Sequence, residues 1–264
     1  MTNKKCLNCG KELTGKYCAG CGQKADTHRI TFKHFIAHDV LHGTLHIEKG
    51  MLFTARQALI RPGKAALEYI SGKRVNYYNV FYFILILIGF NILLTHYYNS
   101  IALKIDPSRA LTPTMNEAGK TIGEILSKYG KLFIFALVPL TALNSFLVFK
   151  RKRLNYSEHF IISGILLLGT ILITTLVLIV SFIEFAGLSP KFFDFIHNIT
   201  PYWVLLYIIW GYYNTFRKDY SLLGFGYRIF LFILLSAIQV FLFIWIILGI
   251  ATGWQSGTEI EFMF

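Results

Sequence analysis

After Cys21 this 264-residue chain contains no cysteine at all, and charged residues make up only 15% of it. Its long apolar runs hold almost no ionisable group. Burying such groups in hydrocarbon is costly, and proton relays or ion paths within a membrane depend on them. The runs offer neutral polar residues instead: Asn91, Thr141, Asn144, Thr170, Thr174, Thr175 and Gln239. These are expected to make interhelical hydrogen bonds, helped by close approach at Gly164 and Gly169. Also missing are a glycine-rich phosphate loop, a His-Glu-x-x-His helix, a Gly-x-Ser-x-Gly elbow and paired mid-membrane carboxylates. NTPase, zincin and proton-pump readings lose support accordingly. Met1 to Lys24 is polar and basic, without the apolar core of a cleavable signal peptide, so it is expected to remain in the mature chain.

What is present is 55% hydrophobic residues, including 24 Phe and 15 Tyr, with a mean hydropathy of +0.52. That composition belongs to membrane proteins. Five runs are long enough to cross about 30 Å of hydrocarbon: 78–98, 132–149, 160–183, 202–216 and 229–254. The fourth has an alternative start near Phe192; with the start near Tyr202, Pro201 suits a first helical turn, and Tyr202, Trp203, Trp210, Tyr212 and Tyr213 are expected at the interface. Pro139 is expected to kink the second run or open a hydrogen-bond gap in it.

The four cysteines form two Cys-x-x-Cys-Gly units, Cys6 with Cys9 and Cys18 with Cys21, inside residues 1–24. Each unit makes a tight turn whose amides face the sulfurs, with glycine taking a left-handed dihedral. A dithiol oxidoreductase needs one such pair at a helix start in a larger fold, whereas two pairs on so short a segment suit a four-cysteine Zn2+ ribbon that folds on its metal. Thiolates also require a reducing compartment, which puts the N-terminus in the cytosol.

Charge supports the same topology. The net charge is +12, and 20 of the 26 Lys and Arg residues fall in 1–77, 150–159 and 217–228. Positive loops stay cytoplasmic, so five crossings leave the N-terminus inside and the C-terminus outside. The excess charge is explained by topology and by anionic lipid headgroups, and nucleic-acid binding is not needed to account for it. Self-association of the membrane body is compatible with this composition.

Residues 25–77 are too polar to span and too apolar for a free linker, and they read as interfacial helices. One is expected from Thr31 to His42 and a second from Met51 to Ile60. Arg61-Pro62-Gly63 then turns the chain into a short helix that stops at Gly72. His34, His38, His42 and His46 recur at four-residue spacing, with Asp39 nearby. His34, His38 and His42 line one helix face and form a candidate second metal site or pH sensor. The simpler reading is a polar helix face that happens to use histidine.

The stretches Cys6-Leu7-Asn8-Cys9-Gly10, Gly15 to Gln23, Lys49 to Thr54, Arg61-Pro62-Gly63, Gly72 to Tyr77 and Tyr156-Ser157-Glu158-His159 resemble a bacterial family catalogued as a domain of unknown function. The resemblance implies an N-terminal zinc ribbon on a polytopic all-α membrane body, and it carries no activity.

Glu158-His159 is the one candidate catalytic pair. A carboxylate beside an imidazole suits a proton relay or a metal, yet adjacent helical residues point about 100° apart, and the simpler reading makes Ser157 or Glu158 a helix cap with His159 packed under the basic loop. Three functions follow in order of support. The first is a membrane protein whose ribbon is a docking or regulatory module for a protein partner. Next comes a small permease or lipid-handling protein, and last a membrane enzyme using Glu158 and His159.

Overall fold

The structure is a computed structural model that describes residues 5–27, 50–106, 136–186, 190–252 and 254. Its order after the N-terminal knuckles is α1 (Gly50–Ile60), α2 (Pro62–Ile70), α3 (Val80–Ile105), α4 (Ala136–Val148), α5 (Tyr156–Ser181), a 3-10 turn (Phe182–Ala186), α6 (Pro190–Phe216) and α7 (Leu222–Thr252). The described fold is helical, and its β pairing is limited to isolated bridges. Four helices, α3, α5, α6 and α7, are long and apolar enough to cross a membrane. The described part of the run expected at 132–149 is α4, about 20 Å long at 1.5 Å per residue.

Local chemistry sets the boundaries. Asn79 caps α3 by accepting from the amides of Phe81 (3.0 Å) and Tyr82 (3.3 Å). Pro62 opens α2 in its first turn, where a missing N–H costs nothing. Residue 72 closes that helix at φ +96°, a conformation that glycine adopts without strain. Pro201 lies inside α6, because the helix begins at Pro190, close to the alternative start near Phe192 and well before Tyr202. In a membrane helix the hydrogen bond lost at an internal proline is made up by neighbours. α7 likewise starts earlier than expected, at Leu222.

Helix directions follow from the contacts. Val80 and Phe81 lie at Gly164, Asn91 Nδ2 donates to Thr175 Oγ1 at 2.7 Å, and Tyr98 donates to Glu184 at 2.7 Å, so α3 and α5 run parallel. Leu166 meets Gly211 and Ser181 meets His197, so α6 runs antiparallel to both. The ribbon, the 150–155 loop and the 217–221 loop therefore share one end of the molecule. The expected interhelical role of the polar residues is visible in the Asn91–Thr175 bond and in Asn144, which exchanges hydrogen bonds with Gln239 (2.9 and 3.0 Å) and reaches Ser236 (3.1 Å). Thr141, Thr170 and Thr174 bond carbonyls of their own helices.

The hairpin of α1 and α2 packs against α5, and α2 also against α6. Thr54, Gln57, Ala58, Ala65, Ala66 and Tyr69 are buried there, while Leu52 and Ile60 face outward. A Cβ on Gly63 would sit 2.5 Å from the Gly211 carbonyl oxygen and 2.5 Å from Thr215 Oγ1, so only glycine permits this backbone approach. Tyr207 on α6 donates a buried 2.7 Å hydrogen bond to the Ala58 carbonyl. The apolar set of this segment is thus covered largely by protein.

Candidate metal centre

The ribbon consists of two equivalent knuckles offset by 12 residues. In the first, the Cys6 amide donates to Lys11 O (2.8 Å) and the Gly10 amide to Cys6 O (2.9 Å). In the second, Cys18 donates to Gln23 O and Gly22 to Cys18 O, both at 2.8 Å. Single antiparallel bridges, Lys5 with Glu12 and Tyr17 with Lys24, close them. Gly10 and Gly22 hold φ of +77° and +75°, the left-handed turn that the Cys-x-x-Cys-Gly pattern calls for.

These turns bring the four sulfurs of Cys6, Cys9, Cys18 and Cys21 within 4.8 Å of one another. Cys6 and Cys21 are 3.6 Å apart, and Cys9 and Cys18 are 3.5 Å apart. The set is arranged to hold a metal ion. As thiols the four compete for protons. The Gly20 amide, donating to Cys18 Sγ at 3.4 Å, draws that thiol down to about 6, and the Gln23 amide lowers Cys21. At Cys9 the Lys11 amide is the largest single influence and acts downward. Even so, the neighbouring cysteine sulfurs and partial desolvation together push that thiol up to about 11.

The ribbon is seated on the hairpin. Gly72 lies directly under Leu7, where an added Cβ would come within 2.7 Å of the leucine Cδ1. The Arg74 amide donates to the buried side chain of Gln23 at 3.5 Å, a long bond. Below the seat, the Arg74 guanidinium lies 5.2 Å from the Tyr69 ring centre and donates to the Tyr69 carbonyl at 3.1 Å. Tyr77 packs edge-on against Tyr69 and donates to Glu68 at 2.8 Å. Burial, with Glu68 adding to it, pushes the Tyr77 hydroxyl well above its ordinary range. Glu68 also pairs with Arg61 at 3.4 Å, and Arg61 Nε donates to Gln57 on α1. A continuous set of contacts thus runs from the cysteine knuckles to the tip of the hairpin that α6 grips.

Glu158 and His159 are both buried, and they point to different partners. Glu158 completes a capping box: its amide donates to Asn155 Oδ1 at 2.9 Å and its carboxylate accepts from the Asn155 amide at 2.8 Å. His159 shares a 2.7 Å hydrogen bond with Ser145 and stacks on Phe216. The cap role is the one this geometry supports. His34, His38 and His42 lie outside the described residues. Sequence reasoning missed the ribbon seat, since Leu7 and Gln23 carry no chemical signature. It also missed Asn155 as the cap, although the Asn-x-x-Glu spacing signals a capping box.

A family model described as a protein of unknown function (DUF3667) matches residues 48–90. The match covers the hairpin, the turn that seats the ribbon and the first part of α3. No curated protein and no solved structure matches the chain.

Proposed function

We propose that this is a bacterial inner-membrane protein whose N-terminal cysteine knuckles form a cytosolic structural zinc ribbon, serving as a docking or regulatory module for a protein partner. The observation that carries the reading is a four-sulfur site fixed to the membrane hairpin. Tetrahedral zinc with Zn–S bonds of about 2.3 Å requires sulfurs about 3.8 Å apart, close to the spacing here. Four cysteine ligands leave no open position for substrate, so the site supports structure and not turnover. Lys5, Lys11, Lys16 and Lys24 are exposed on the two knuckles, as is Tyr17, which is bridged to Lys24. A basic rim about an aromatic anchor suits a partner with an acidic face. The charge bias of the ribbon end favours the cytoplasmic side.

The test is photocrosslinking in living cells from a probe placed at the exposed Thr14, comparing the otherwise unchanged chain with Cys18→Ser/Cys21→Ser and Tyr17→Ala variants. A labelled neighbour that disappears in both variants, while membrane insertion persists, is the expected result. The same neighbour in all three proteins contradicts the reading.

A further inference from the structure

Residues 150–155 and 217–228 meet at the ribbon end and carry seven basic side chains against one acidic one, Asp219. That carboxylate is taken by Lys152, whose Nζ lies 2.9 Å from Oδ2 and also donates to Thr215 O at 3.1 Å. Arg151 and Arg228 come from the two different segments and converge on one side chain. Their guanidinium carbons lie 4.9 and 4.2 Å from the centre of the buried Tyr220 ring. The Arg151 amide donates to the Tyr220 hydroxyl at 2.9 Å, which ties the segments together. Each guanidinium donates to one carbonyl, Arg151 to Asp219 O and Arg228 to Gly224 O, both at 2.9 Å. No carboxylate among the described residues pairs with either. A guanidinium has five N–H donors, so each retains donors for an anion from outside. Arg151 is exposed and Arg228 half-buried, so both are held in place at a surface.

Apolar surface continues directly from these cations. Leu223, Tyr227 and Phe230 share one face of α7 by their spacing, and with Leu222 they are 61% to 88% exposed. Because α7 is long and apolar enough to cross a membrane, this stripe leads from the cations into hydrocarbon. A soluble acidic peptide would leave it uncovered. A phospholipid matches both parts, with phosphate on the guanidiniums and acyl chain on the stripe.

We infer that Arg151 and Arg228, held on Tyr220, bind the phosphate of an anionic phospholipid such as phosphatidylglycerol, with its acyl chains along the Leu223, Tyr227 and Phe230 face of α7. Planar guanidiniums meet phosphate oxygens in paired hydrogen bonds. A zwitterionic head is disfavoured, because its ammonium would face the surplus of cations around the site. General attraction to an anionic surface acts on every loop charge alike, whereas here two charges are fixed beside one ring. The inference does not rest on the ribbon's role.

The full-length protein is reconstituted in nanodiscs of equal phosphatidylcholine and phosphatidylglycerol, and the lipids it retains are counted by native mass spectrometry. Preferential retention of phosphatidylglycerol is expected. Arg151→Gln and Arg228→Gln each keep a donor for the neighbouring carbonyl and remove the charge. Each should lower the preference about fivefold, the worth of one cation at an anionic surface. Tyr227→Glu, at an exposed position beside Arg228, should abolish it without changing the melting temperature in phosphatidylcholine alone. Lys16→Gln/Lys24→Gln, on the ribbon, should leave it unchanged. Equal retention of both lipids by the unaltered chain, an equal loss from the ribbon substitutions, or displacement of the lipid by millimolar inorganic phosphate would overturn the assignment.

Discussion

At Gly63 one missing methyl group sets how closely two helices approach. The atoms that an added Cβ would strike are the Gly211 carbonyl and the Thr215 backbone and hydroxyl, none of which is the far end of a flexible side chain. Gly63→Val should therefore destabilise the folded protein by about 1–3 kcal/mol, as overpacking does, and lower its detergent melting temperature. A second residue-scale prediction concerns Cys18. Its folded value, about 6, lies below that of an unfolded thiol, so its thiolate favours the folded knuckle above the unfolded range, and this contribution is lost as pH falls through about 6. Protons and zinc compete for these sulfurs, so zinc bound to the purified protein should be held at pH 8 and lost progressively to a chromogenic chelator as the pH falls. A zinc affinity that does not change with pH would contradict the assignment of these four sulfurs as ligands. The cysteines and the positive-φ glycines were legible in the sequence because their chemistry is local. Leu7, Gln23 and Glu68 were not, since their importance arises from what the fold places beside them.

Among the elements, α4 and α7 are joined by the reciprocal amide pair of Asn144 and Gln239. Such pairs in membranes are worth less than their burial suggests, because the separated helices also find partners. A double-mutant cycle with Asn144→Ala and Gln239→Ala should give a coupling of about 0.6 kcal/mol and no more than about 1.7 kcal/mol, read from unfolding in detergent. A coupling of zero would mean that the pair does not form. Helix positions were readable from apolar runs, whereas their ends were less so. α6 continues back through Pro201 to Pro190, and α7 reaches back to Leu222. The hairpin was expected at an interface from its amphipathic composition. Its burial against α5 and α6 depends on small residues at 63 and 211, whose role appears only when the two elements meet.

Across the whole molecule, the parallel α3 and α5 with antiparallel α6 gather the ribbon and the basic loops at one end, as the charge count implied. Part of that charge is held internally. Lys152 pairs with Asp219 at 2.9 Å, and Arg151 and Arg228 both stack on Tyr220. The gathering of these loops at one end was readable because loop charge is a sum over many residues. The convergence of Arg151 and Arg228 on Tyr220 was not, as it exists only where two segments distant in sequence meet.

The central claim is that the four-cysteine segment is seated on the membrane hairpin. Hydrogen exchange of the full-length protein, zinc-loaded and then chelated, tests it most directly. The account predicts that chelation exposes amides in residues 5–27 and also in Gly72 to Tyr77, while α3 and α5 keep their protection. Loss of protection confined to residues 5–27, with the 72–77 turn unchanged, would show a ribbon that hangs free of the membrane body and would contradict the account.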